Sequence, residues 1–195
     1  MLVVPQLTSD DLSALPGVHT VLQYSNRHGQ PFWSLTEPVE EVLTLMKDAD
    51  WVHFACHGVQ DRESPTKCGF CLADQRCQKL SDIIASSRPR GGRASLSACQ
   101  TAIGDYNVSD DATHIAAGML FAGYEGVTAT MWSMRDRAAP LVARDVYERL
   151  FRSPDWRNAD CRQDVTALHN ANAVRHLRER GASFVEWLPL IHVGL

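Results

Sequence analysis

Short apolar runs alternate with stretches of helical periodicity along most of the chain, and that alternation is the strongest constraint on its fold. The runs are "LVVP" (2–5), "WVHFA" (51–55), "RASLSA" (93–98), "GVTATMW" (126–132) and "LIHV" (190–193). Their length and their β-branched and aromatic content read as strands. Val39, Val42, Leu43 and Met46 recur at helical spacing over residues 39–49, and Ala139, Val142, Ala143, Val146, Tyr147 and Leu150 do so further on. Both stretches predict amphipathic helices. Ser109 stands as the N-cap of a helix running to about Ala122, with Asp110 and Asp111 favoured in its first turn. Another helix is expected over about 164–180, stopped by Gly181. "PFWSLTEP" (31–38) reads as extended, "CGFCL" (68–72) as a candidate strand, "LSDIIASS" (80–87) as a short helix, and residues 18–27 fit helix or strand equally. Strands alternating with helices give an α/β class: a mostly parallel central sheet with helices on both faces.

The length of 195 residues suits a single domain over 1–195. Hydrophobic content of 45% supports an ordinary core, and a net charge of −4 gives no reason to expect nucleic acid or an anionic membrane as partner. No apolar run approaches the roughly 18 residues of a membrane span. The opening "MLVVPQL" has no basic n-region, so no export signal is expected and the location expected is cytoplasmic. There the six cysteines, Cys56, Cys68, Cys71, Cys77, Cys99 and Cys161, are expected as reduced thiols.

Two segments carry chemistry. "HFACHG" (53–58) presents His57 and "LSACQTAIGD" (96–105) presents Cys99, 42 residues later and, like His57, just past the carboxyl end of a strand. In open parallel sheets that end is where ligands bind. One strand–helix–strand crossover fits the separation, so the two strand ends can be neighbours. A cysteine nucleophile needs thiolate character and a nearby acid or base, and histidine suits the second role. Gly58 follows at once; without a Cβ its N–H can approach a substrate carbonyl closely, and with the N–H of Cys99 it could form an oxyanion hole. Taken alone, either residue is more often simply packed, since cysteine is among the most buried residue types.

The joint pattern is more specific. "WVHFACHG", "LSACQTA", "HIAAGMLFAGYEGVTATMWSMRD" and "FVEWLPLIHVG", in this order, resemble a CHAT domain, the caspase-like and separase-related cysteine-peptidase family, and its fungal versions most. The resemblance implies a caspase-hemoglobinase fold, a catalytic dyad of His57 and Cys99, and a protein or peptide substrate. It implies no cofactor and no metal. It also implies a regulatory helical-repeat domain or partner, which relatives often use to hold the peptidase inactive. Relatives that cleave after Arg or Lys place an acid in the S1 pocket, which here points to Asp136 in "SMRDRAAP"; Asp136 equally stands where a helix N-cap belongs. A catalytically silent caspase-like module, acting in interaction or signalling, is the alternative reading.

Other candidates carry less. His53 lies four residues before His57 on the strand and reads as a core or sheet-face histidine, while His114, His169, His176 and His192 receive no role. "KCGFC" (67–71) could be a redox Cys-x-x-Cys or half of a zinc site with Cys77. Neither a helix at the second cysteine nor a clean fourth ligand is present, which leaves structural thiols as the expectation.

Overall fold

The computed structural model describes residues 2–5, 33–34, 39–59, 69–72, 77–86, 91–97, 111–130, 138–150 and 171–194. In chain order the elements begin with strands Leu2–Pro5 (β1) and Trp33–Ser34 (β2), helix Val39–Asp48 (α1) and strand Trp51–Ala55 (β3). Three short strands follow, His57–Val59 (β4), Gly69–Cys71 (β5) and Cys77–Lys79 (β6). Helix Leu80–Ala85 (α2), strand Arg93–Leu96 (β7), helix Asp111–Phe121 (α3) and strand Gly126–Thr130 (β8) come next. The chain then forms helix Ala139–Leu150 (α4), a helix over 171–179 (α5), the short helix Phe184–Trp187 (α6) and strand Leu190–Gly194 (β9).

Six strands form one sheet in the order β2-β1-β3-β7-β8-β9. All pairs are parallel except β8 with β9. Every residue of β3 and of β8 is buried, as central strands covered on both faces must be. The alternation of side chains assigns the two faces. Leu2, Val4, Val52, Phe54, Ala94 and Val127 pack with Val42 and Met46 of α1, Ile83 of α2 and Met119 of α3. Val3, Trp51 and Ala55 turn the other way, onto Val142, Val146 and Tyr147 of α4 and Ala173 and Leu177 of α5. Each large apolar side chain so buried contributes roughly 1.5–3 kcal/mol.

The predicted strands and helices fall where periodicity placed them, within a residue or two at their described ends. Gly181 ends α5 as expected. Its φ is 75°, its N–H donates to Arg178 O (2.9 Å), and the Ala182 N–H donates to Leu177 O (3.0 Å). That is a Schellman closure, which needs a left-handed residue at this position. Ser109 and residues 18–27 lie outside the described residues.

After β3, Cys56 makes a bend, and His57 and Gly58 open a further strand, β4, which the sequence pattern did not predict. β4, β5 and β6 form a separate antiparallel sheet. Phe70 of β5 anchors it, its ring stacked on Phe54 of β3 at 4.0 Å and 8°, with both side chains fully buried. The small sheet is thereby bolted to the carboxyl end of the central strand.

Candidate active site

His57 sits two residues past the end of β3, with 4% of its surface exposed. Two constraints fix its backbone. Behind it, β3 is held between β1 and β7. Ahead of it, His57 pairs with Cys71 and Gly58 with Phe70 across the antiparallel ladder. Because Phe70 is clamped on Phe54, the histidine is placed by both sheets at once. Gly58 is half-buried, directly after it.

β7 runs beside β3, with His53 opposite Ser95 and Phe54 opposite Leu96. The ladder continues one step beyond the strand, where the Ser97 N–H donates to the Phe54 carbonyl at 2.9 Å. The chain leading to Cys99 therefore leaves the sheet next to the chain leading to His57. Cys99 follows Ser97 by two residues and lies outside the described residues, as does Asp136. Of the residues singled out from the sequence, His57 and Gly58 are placed at the carboxyl end of the central strand.

Ser97 has a second partner that sequence reasoning did not name. His53 Nε2 lies 2.7 Å from Ser97 Oγ, and its Nδ1 is hydrogen-bonded to the Tyr147 hydroxyl of α4. The histidine is 2% exposed, and burial lowers its pKa to about 4. Burial likewise holds the Tyr147 hydroxyl protonated, well above its ordinary range. With a neutral ring, Tyr147 O–H donating to Nδ1 and Nε2–H donating to Ser97 Oγ satisfy all three groups. His53 is thus the core histidine expected, and it also fixes the residue from which the Cys99 segment departs. A signal existed in the sequence: Tyr147 lies on the apolar face of α4, and a buried tyrosine hydroxyl requires a partner. The identity of that partner, 94 residues away, could not be read from it.

Beside this triad lies a cavity of about 20 Å³, lined by His53, Ser95, Ser97, Thr128, Thr130 and Tyr147 among others. Leu96, Val142, Val146 and Leu190 make much of its wall apolar, and its size is that of one water molecule. It opens the space between the carboxyl halves of β7 and β8 and helix α4. His176 of α5 pairs with Asp145 of α4, Nδ1 to Oδ2 2.7 Å. That pair ties the two helices to each other.

The arrangement is that of an α/β domain carrying a histidine at the carboxyl end of its central strand, beside the neighbouring strand that leads to a cysteine. Comparison with known families agrees with this class: the family model described as the CHAT domain matches residues 26–187. The chain belongs to the CHAT domain family, which is related to the caspase-like peptidases. No match was found among curated proteins. Among the described residues, no helix is long and apolar enough to cross a membrane.

Proposed function

We propose that the chain is a cysteine endopeptidase domain of the caspase-hemoglobinase type, acting in the cytoplasm as a single domain over residues 1–195. Cys99 is its nucleophile and His57 its general acid and base. His57 takes the Cys99 proton, and the thiolate attacks the scissile carbonyl of a protein substrate. The N–H groups of Gly58 and Cys99 hold the oxyanion. The same histidine then returns the proton to the leaving amine, and water releases the acyl group from sulfur. Asp136 is the proposed S1 residue, pairing with a substrate Arg or Lys. A helical-repeat segment or partner is the proposed regulator.

The observation that carries this reading is the meeting of two chain segments. His57 and Gly58 leave the end of β3, and Ser97, two residues before Cys99, is hydrogen-bonded to Phe54 of that same strand. Membership of the CHAT family supports it.

The test is labelling by a thiol-reactive peptide probe, followed by peptide mapping. Selective modification of Cys99, together with loss of peptide cleavage in a folded Cys99→Ala variant, is the expected result. A Cys99→Ala protein that cleaves as fast as the wild type overturns the assignment. A wild type in which Cys99 reacts no faster than a free thiol, and cleaves nothing, favours the silent interaction module.

A further inference from the structure

Three sulfur and nitrogen side chains stand in one row across the small sheet. His57 of β4 is directly opposite Cys71 of β5, and Cys71 is directly opposite Cys77 of β6. Residues opposed in this way project to the same side of an antiparallel ladder. The row runs from inside to outside: His57 and Cys71 are buried, and Cys77 is exposed on the outer strand. The Cys71 and Cys77 sulfurs are 3.9 Å apart, and both are free thiols.

We propose that Cys71 and Cys77 are a reversible thiol–disulfide pair, closed by a low-molecular-weight disulfide such as glutathione disulfide. Directly opposed residues of an antiparallel ladder have Cα atoms about 4.5–5.5 Å apart. That lies inside the roughly 4.4–6.8 Å span a disulfide requires. The sulfurs need approach by only about 2 Å to reach bonding distance, a change of side-chain torsion without displacement of the strands. This pairing differs from the Cys68–Cys71 motif that the sequence suggests. Its members are neighbours through the hairpin, and the register sets them face to face.

The two thiols have distinct parts to play. Cys77, on the surface, is the sulfur a dissolved disulfide can reach. As thiolate it attacks one glutathione sulfur; that S–S bond breaks, and one glutathione leaves as thiolate and takes up a proton. Cys71 then gives its proton to solvent and attacks the Cys77 sulfur, expelling the second glutathione. Two protein thiols are oxidised by two electrons, and one small disulfide is reduced to two thiols. Burial, with Cys77 beside it, pushes the Cys71 thiol up to about 12, so Cys71 is a poor target for direct attack. Once Cys77 is a mixed disulfide, its charge no longer opposes ionisation of Cys71, and the second step is eased.

The pair stands independently of the peptidase reading, because it is read on the sulfurs themselves. The experiment incubates the folded chain with glutathione disulfide, blocks remaining thiols with iodoacetamide and digests with trypsin without reduction. Cleavage after Lys67, Arg76 and Lys79 isolates residues 68–76 and 77–79. The expected product is these two peptides joined, with fragmentation placing the bond on Cys71, and dithiothreitol releasing both. The same joined product is expected from Cys68→Ser. In Cys71→Ser, Cys77 is expected to stop at the glutathione mixed disulfide. Wild-type Cys77 recovered with glutathione attached, alkylated, or bonded to Cys68 overturns the proposal.

Discussion

Acidification should weaken this fold through one histidine, and the size of the effect follows from its burial. In the folded chain His53 is 2% exposed and has a pKa of about 4, against an ordinary value of 6.5, the cause being removal from water. The unfolded chain therefore takes up a proton that the folded chain refuses. Stability from this group is present in full above about pH 6.5 and is lost as the pH falls from there through about 4. The shift corresponds to about 3 kcal/mol at 1.36 kcal/mol per pK unit. That is a large fraction of the 5–15 kcal/mol typical of a domain. Carboxylates also titrate at the lower end of this window, so the measurement is a difference. Urea unfolding of the wild type and of His53→Asn is followed at several pH values between 7 and 4. The variant starts less stable, because Tyr147 and Ser97 lose the ring. Its stability should then fall less steeply, the gap between the two proteins narrowing by about 3 kcal/mol at pH 4. Curves that fall in parallel over the whole range would refute the neutral, buried state of His53.

His57→Ala should lower peptide turnover by ~10²–10⁴-fold, the usual contribution of general acid–base catalysis, in a protein that still unfolds cooperatively. Equal loss of turnover in His53→Asn at unchanged KM would mean that the two histidines share the chemistry. Gly69→Ala should destabilise the small sheet, since a Cβ there would lie 2.2 Å from the Gln78 backbone carbonyl. A cost of about 1–3 kcal/mol is expected from such overpacking, read by thermal unfolding. Asp136→Asn should erase a preference for Arg or Lys at P1, and a profiling library showing an apolar or acidic preference in the wild type removes Asp136 from the S1 pocket.

Local pattern carried most of the main sheet. β1, β3 and β8 are short runs rich in apolar and β-branched residues, β7 alternates Ala94 and Leu96 with Arg93 and Ser95, and α1 and α4 have one apolar face each; these signals are complete within a dozen residues. Their alternation also implied the parallel order, because a parallel strand needs a crossover of helical length. What stayed hidden has little pattern of its own. β4 and β6 are three residues each, "HGV" and "CQK", and their composition carries no strand preference. They are strands because they pair. The four-residue helix α6 is different: it is held by a local capping box, in which Glu186, 4% exposed, accepts hydrogen bonds from the Ser183 N–H and Oγ–H at 2.9 Å each, and the Ser-x-x-Glu spacing of "SFVE" carried that signal in the sequence.

The candidate site divides along the same line. That His57 and the chain toward Cys99 leave the sheet at the same end was legible, since both follow strands and parallel strands share an orientation. Which side chains surround them was not, because side-chain neighbourhood in a sheet depends on register, and a slip of one residue turns every side chain to the opposite face. Among the described residues, the stacking of Phe70 on Phe54, a contact between two sheets, fixes which face of β5 turns toward the central strand. With Phe70 held there, its neighbour Cys71 projects to the other face, His57 falls opposite it and Cys77 beyond. The proposed acid–base residue and the proposed thiol pair therefore share the face of the small sheet opposite to that packing contact. Phe70→Ala should disturb both, whereas a change confined to Cys77 should leave His57 in place.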